Sequence, residues 1–352
     1  MLKALVRDMI TSRPVLQSWQ YLYPPFPYIL NLHRFAYPDG SGDPTGEALS
    51  GDVLRAQLKA LRKVGCDLVS LSDLRLNYAT NPTGRPTIAV TVDDGYDDFD
   101  AVGGPIFAEF DCPVSVFLIS GFLDGSTWCW WDQLTYVFLQ TDRESFTVDI
   151  EGAIVPVACR SRAERLDASR RINPMLERVS DQQKWAAIGR LACAAGVDIP
   201  AQPPAWCRPM SWDTVRSWAG RGVSFGPHTV THPILKQTSA EDCRYEMGHS
   251  WQRLREEVPN AEAVFAYPNG KQYAVGQREA RIAKDIGMTA ALSTERRCIQ
   301  AADVDPSRDE LGVYMLPRQA WPASVSSLLQ VVFGLEEVKR DLLGPRNRAA
   351  VT

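Results

Sequence analysis

The sequence predicts an α/β protein whose parallel strands close into a barrel. Three observations carry that expectation. Strand-length apolar runs alternate with helix-period segments through most of the chain, the rhythm of a parallel sheet. Eight such runs can be counted, the number expected of a barrel. The clustered acids and histidines follow strands directly, at the end where α/β folds place their chemistry.

In chain order the strands are expected at Tyr28–His33, Asp67–Leu71, Thr87–Val92, Val114–Ile119, Gly222–Phe225, Ala263–Tyr267, Thr289–Ser293 and Val313–Leu316. Thr87-Ile88-Ala89-Val90-Thr91-Val92 is rich in β-branched residues with no polar alternation, as a strand buried on both faces must be. Helical periodicity marks Gly51–Val64, Thr214–Arg221, Ala240–Glu257 and Gly276–Ile286 between them. The rhythm fails between about Gly121 and Pro209. That stretch opens on Trp128-Cys129-Trp130-Trp131-Asp132 and continues with strand-like Phe146–Ile150 and Ala153–Val157. Helix-like Ser161–Val179 and Asp181–Ala195 follow, then a Pro-rich close at Ile199–Pro204. Barrels vary in their strand-to-helix loops, so residues 121–209 are expected to be an insertion on the catalytic face. It interrupts a main domain expected over 26–335, flanked by a peripheral N-terminal segment, 1–25, and an Arg-rich tail, 336–352, with Arg340, Arg346 and Arg348.

Composition narrows the partners. At 352 residues, 45% hydrophobic and 23% charged, the chain has ample core for a globular protein. A net charge of −4 without a basic run argues against nucleic acid as the main partner. No stretch reaches the roughly 20 apolar residues of a membrane span, and the first residues carry charge too early for a secretory signal. Eight scattered cysteines without a C-x-x-C pair read as reduced core residues, so cytoplasmic residence is expected.

The chemistry gathers in two segments. Asp93 and Asp94 end the Thr87–Val92 run, and adjacent buried acids are costly unless a cation or proton relieves them. His228 and His232 follow the short strand Val223-Ser224-Phe225, broken by Gly226-Pro227; they are two of only four histidines. Two imidazoles and a carboxylate hold a divalent metal while leaving positions for water and substrate, and the remaining acid can act as a general base. Pro233 disfavours helical geometry at His232, so the histidine turn is expected to be short and irregular.

These segments resemble the T-F-D-D-G and H-[ST]-x-x-H signatures of the polysaccharide deacetylases, carbohydrate esterase family 4. The resemblance covers roughly Tyr28–Gly125 and Ser211–Arg318. It implies a distorted (β/α)7 barrel with Asp93 as the base and Asp94, His228 and His232 as metal ligands. The implied metal is divalent, zinc first, with cobalt, nickel or manganese as alternatives. The family's R-x-P-[YF] motif is matched only in part by Phe265-Ala266-Tyr267-Pro268-Asn269-Gly270. Ala266 stands at the Arg position; Asn269 stands at the aromatic position, whose backbone N–H helps hold the oxyanion, and a backbone donor survives substitution. Arg208 or Arg318 are the candidates to replace the missing Arg, and with Tyr267 they are expected on the substrate side. The family's late His has no counterpart in Met315-Leu316-Pro317-Arg318. His33, ending the first strand as the leucine-histidine or tyrosine-histidine pair of one subgroup does, is then the expected proton donor. Trp131 and Trp212 are the expected sugar contacts, since sugars stack on indole faces. His249 is expected on the surface.

The function expected is metal-dependent removal of an N-acetyl group from an amino sugar in a polysaccharide, oligosaccharide or glycan precursor. The alternatives are a deformylase or deacetylase of a lipid- or nucleotide-linked sugar, and a saccharide-binding protein that has lost catalysis. An iron oxygenase, which also uses two His and one carboxylate, is disfavoured because no H-x-D spacing is present.

Overall fold

The computed structural model describes Leu16 and residues 27–40, 43–77, 84–305, 307–335 and 337–338. Apart from Leu16, the expected peripheral segment 1–25 lies outside these residues, and so do Arg340, Arg346 and Arg348. The described strands are β1 Pro27–Leu32, β2 Phe35–Ala36, β3 Leu49–Ser50, β4 Asp67–Val69, β5 Thr87–Val92, β6 Val114–Leu118, β7 Ser145–Ile150, β8 Ala153–Ala158, β9 Val223–Pro227, β10 Val264–Ala266, β11 Ala290–Leu292 and β12 Gln319–Ala320.

All neighbours in the main sheet are parallel, in the order β12-β1-β5-β6-β9. β1 pairs with β5 along its full length, Pro27 opposite Thr87 through Leu32 opposite Val92. The second edge of β5 is shared: β4 pairs with Thr87–Ala89 and β6 with Val90–Val92. β10 and β11 form a separate parallel pair. Irregular links join that pair to the main sheet. Glu262 N–H donates to Phe225 O beside β9, Leu292 bridges Leu316, and β12 returns to β1. The α/β class and the parallel sheet are as expected, and the apolar, non-alternating composition of β5 follows from burial on both faces.

Two expectations are corrected. Val313–Leu316 is not a strand: Gly312–Met315 is a 3-10 turn, and the closing strand comes later, at Gln319–Ala320. Gly226-Pro227 does not break β9, which runs on through Pro227 opposite Leu118. Proline fits there because parallel pairing leaves its missing N–H uncalled for, and Gly226 is required by close approach. A Cβ at Gly226 would lie 2.5 Å from the Phe117 ring and 2.7 Å from Val264 O.

The helices follow their apolar faces. Gly51–Val64 buries Leu54, Leu58 and Leu61 and stops at Gly65, which takes the left-handed cap at φ 84°. Ala240–Glu257 buries Met247, Trp251 and Leu254 on one side. The segment between Trp130 and Ile199 packs around a core of its own, in which Leu134 and Phe138 of one helix meet Val148 of the β7–β8 hairpin, Ile172 and Leu191. Its helices Arg162–Leu176 and Asp181–Ala195 start on Ser161 and Ser180, each of whose hydroxyls accepts an N–H three residues on. No helix among the described residues is long and apolar enough to cross a membrane.

Candidate metal centre

Asp93 and Asp94 follow β5 without a gap, and His228 and His232 follow β9, separated from β5 only by β6. Both chain exits are strained into place. Asp94, Thr229, His232 and Asn269 all have positive φ, and they are four of the six non-glycine residues that do among the described residues. Gly95, at φ 90°, makes the exit from the acids. The 228–232 turn is irregular, as expected, and closes when His232 N–H donates to Thr229 Oγ1 at 3.0 Å. Buried Glu246 holds it from beneath, its carboxylate accepting from the N–H groups of Val230 and Thr231 and from the Thr231 hydroxyl.

Asp94 Oδ1 lies 3.6 Å from His228 Nε2 and 3.8 Å from His232 Nε2. One ligand atom from each residue falls within 4.8 Å of the others, and all three side chains are buried. His228 Nδ1 sits 2.7 Å from Ala266 O, which assigns its proton to that nitrogen and leaves Nε2 free to bind. Burial pushes the His228 pKa down to about 4 and holds that of His232 well below its usual range, so both rings are neutral, as ligands must be. Burial and the neighbouring Asp93 charge drive the Asp94 carboxyl well above its usual range, and its Oδ1 has no hydrogen-bond partner. A second buried carboxylate without a counter-charge is the deficit a divalent cation fills, so the residues present fit a metal.

Asp93 is treated oppositely. Burial opposes its ionisation, but the Arg318 guanidinium, with His228 and His33, outweighs that and holds the carboxyl below the usual range. Arg318 is fully buried and donates to both oxygens, Nη1 to Oδ1 at 2.7 Å and Nη2 to Oδ2 at 2.9 Å. Its Nε anchors on Ser293 O at 3.1 Å. Asn31 Nδ2 donates to Asp93 Oδ2 at 3.2 Å, and Asn31 Oδ1 accepts from Arg318 and Thr91. His33 Nε2 stands 3.9 Å from Asp93 Oδ2 on the open side, its side chain 55% exposed. Partial burial lowers the imidazole pKa, against the pull of Asp93.

The structure separates the two arginine candidates. Arg318 grips Asp93, whereas Arg208 is exposed and reaches only Asp97, at 3.9 Å. Tyr267 is placed in the core rather than on the substrate side: it is fully buried and its hydroxyl donates to Tyr314 O. Trp212 is tied to Asp124 through its Nε1–H and covered by Arg253, and no contact joins it to the ligand cluster. Trp131 packs edge-on against the His232 ring, centroids 4.6 Å apart. Asn269 keeps its backbone N–H free of any internal acceptor among the described residues, while its Nδ2 donates to Tyr273 Oη at 3.2 Å. Tyr273 in turn donates to Glu177 of the insertion at 2.6 Å. The insertion therefore touches the centre on two sides, at His232 and beside Asn269. His249 is exposed and stacks on Tyr245.

Residues 168–291 match the family model described as polysaccharide deacetylase. The matching model describes the family whose signatures the motifs resemble, and it covers about a third of the chain. The match takes in both histidines and the Phe265–Gly270 segment. Solved structures agree on the fold. The Streptococcus pyogenes deacetylase PplD, described as a complex with acetate, superposes with a TM-score of 0.55 at 17% identity, over 88% of this chain and 99% of that one. IcaB from Ammonifex degensii gives 0.53 at 15% identity, over 87% and 97%. BC0361, a polysaccharide deacetylase from Bacillus cereus, gives 0.52 at 14%, over 88% and 69%. No curated protein sequence matches the chain.

Against the family motifs, the Arg position at Ala266 is vacated and Arg318, from the far end of the chain, occupies the space beside the base. The sequence reading missed four residues of the site. Asn31 could have been found as the lone polar residue in an apolar strand, Ile29-Leu30-Asn31-Leu32. Thr91 and Tyr96 stand within two residues of the acids and could have been found by that proximity, whereas Glu246 carries no local signal, because only tertiary contacts bring it beneath the histidine turn.

Proposed function

We propose that this chain is a metal-dependent hydrolase that removes the N-acetyl group of an amino sugar in a polysaccharide, oligosaccharide or glycan precursor. One observation carries the reading: a three-residue ligand set stands next to a carboxylate that Arg318 keeps ionised. Asp94, His228 and His232 would hold the ion, zinc by its preference for imidazole and carboxylate donors. A divalent ion there supplies Lewis acidity toward the acetamide carbonyl and a water of lowered pKa.

The remaining work falls to the chain's own groups. Asp93, fixed by Arg318 and Asn31, accepts a proton from the attacking water as oxygen adds to the carbonyl carbon. The Asn269 N–H donates to the oxygen that gains charge. His33 starts neutral and must gain a proton before giving one; Asp93, 3.9 Å away, is the nearest source. Passing that proton on to the amine nitrogen as the C–N bond breaks releases acetate and the free amino sugar. The intact Asp93–Arg318 pair favours this reading over a binding protein that has lost catalysis, since such a protein has no use for a buried, ionised base.

Asp93→Asn is expected to abolish acetate release from chito-oligosaccharide while leaving bound metal unchanged. Undiminished release would overturn the reading. Lipid- and nucleotide-linked N-acetyl and N-formyl sugars, run beside the oligosaccharide, identify the carrier and the acyl group.

A further inference from the structure

The two histidines are held by different means. The His228 ring is locked by a hydrogen bond from Nδ1 to Ala266 O. The His232 Nδ1 is buried and has no hydrogen-bond partner. Ligand histidines ordinarily depend on that second nitrogen for their orientation. What contacts the His232 ring instead is the ring of His228 at 4.9 Å and the indole of Trp131 at 4.6 Å, inclined at 68°.

The indole is itself fixed. Its Nε1–H donates to Tyr96 Oη at 2.9 Å, and Tyr96 donates to Asp132 Oδ2 at 2.6 Å. Tyr96 lies two residues past Asp94, so this chain of contacts starts at the acids, passes through the insertion's first helix and ends on the second histidine. The Arg34 guanidinium covers the Tyr96 ring at 3.9 Å, and Trp130 backs the indole at 5.6 Å. Trp130 is covered in turn by the fully buried Lys184. We propose that Trp131 is a positioning residue for His232, so that the metal centre is completed by the insertion rather than by the barrel alone. This rests on reading Asp94, His228 and His232 as metal ligands. It also separates Trp131 from a sugar platform, whose loss would weaken substrate binding and leave the metal alone.

The test is zinc affinity, by competition with a chromophoric chelator, and the visible spectrum of the cobalt-substituted protein. Trp131→Ala should bind zinc about ten-fold or more weakly, the loss typical of a ligand deprived of its orienting partner, with a changed cobalt spectrum. Trp131→Phe, which keeps an aromatic edge against His232, should stay within about three-fold of the natural protein, inside that limit. Trp131→Leu fills the volume without a ring and gives the same reading should the alanine variant not fold. Natural affinity and an unaltered cobalt spectrum in Trp131→Ala or Trp131→Leu, with or without a raised KM, would overturn the inference. A natural protein that binds no zinc or cobalt overturns the metal reading itself, and is seen before any variant is compared.

Discussion

Replacing Arg318 by glutamine should move the acidic limb of the rate profile toward neutrality. The guanidinium makes two charge-assisted bonds to Asp93, at 2.7 and 2.9 Å, and both side chains are almost wholly out of water. Removing one partner of such a pair costs about 3–5 kcal/mol, because the other charge stays buried and unpaired. At about 1.4 kcal/mol per pKa unit, that loss is enough to raise the Asp93 carboxyl by about two units or more. Burial then dominates what Asn31 alone can offset, and the base titrates above the ordinary carboxylate value instead of below it. A base must be ionised to act, so acetate release should fall away at a pH where the natural protein is still fully active. Stability changes sign with it. A depressed Asp93 pKa stabilises the natural fold above about pH 4, a contribution lost as pH falls further. In the variant the raised pKa destabilises the fold at neutral pH, and the deficit shrinks on acidification through the new value. Initial rates and thermal melts over about pH 3 to 9 read both effects. Arg318→Lys, retaining one charge, should fall between. An acidic limb in the same place and a Tm within about 1 °C of natural at neutral pH would refute the assignment of Arg318 as the partner of Asp93.

Four further outcomes are expected. Chelation should lower Tm, and titrating zinc back should raise it with concentration, by up to about 4 kcal/mol of stability at a thousand-fold excess over Kd. A flat response would argue against the ligand set. Zinc affinity should rise with pH as the raised Asp94 carboxyl gives up its proton, the histidines being already neutral; isothermal titration at several pH values reads the slope. Glu246→Ala removes the acceptor for two backbone N–H groups and a hydroxyl beneath the histidine turn, and should cost about 2–3 kcal/mol in urea melts with weaker zinc binding. Gly226→Ala forces a methyl against the Phe117 ring and Val264 O and should cost about 1–3 kcal/mol or prevent folding.

Much of this was legible before any coordinates. β5 appears at its expected residues because an apolar β-branched run between polar turns has no other stable use. The helices Gly51–Val64, Ala240–Glu257 and Asp181–Ala195 likewise begin and end where their sequence signals lie. The closing strand was not legible. Two residues, Gln319 and Ala320, are too few to carry a period, and the apolar Val313–Leu316 offered a better pattern that the chain spends on a 3-10 turn. Within the site, the scarcity of histidine and the adjacency of Asp93 and Asp94 pointed to the centre. Arg318 and Arg208 could not be ranked, because what separates them is burial, and burial depends on which strand comes home beside β1. Tyr267 read as site-facing by its motif, yet a strand alternates sides and its hydroxyl turns inward to Tyr314.

The position of Arg318 sets an order of events during synthesis. Asp94, His228 and His232 have all left the ribosome some 86 residues before the arginine does, counting from His232 to Arg318. Arg318 immediately precedes β12, which docks on β1 by pairing Gln319 with Leu30. A nascent chain can thus gather its proposed metal-binding residues early, but the buried Asp93 has no counter-charge until β12 seats against β1. On the proposed reading, any proteolytic cut that frees the segment from Arg318 onward should silence hydrolysis by removing the partner of Asp93, while leaving Asp94, His228 and His232 in the chain.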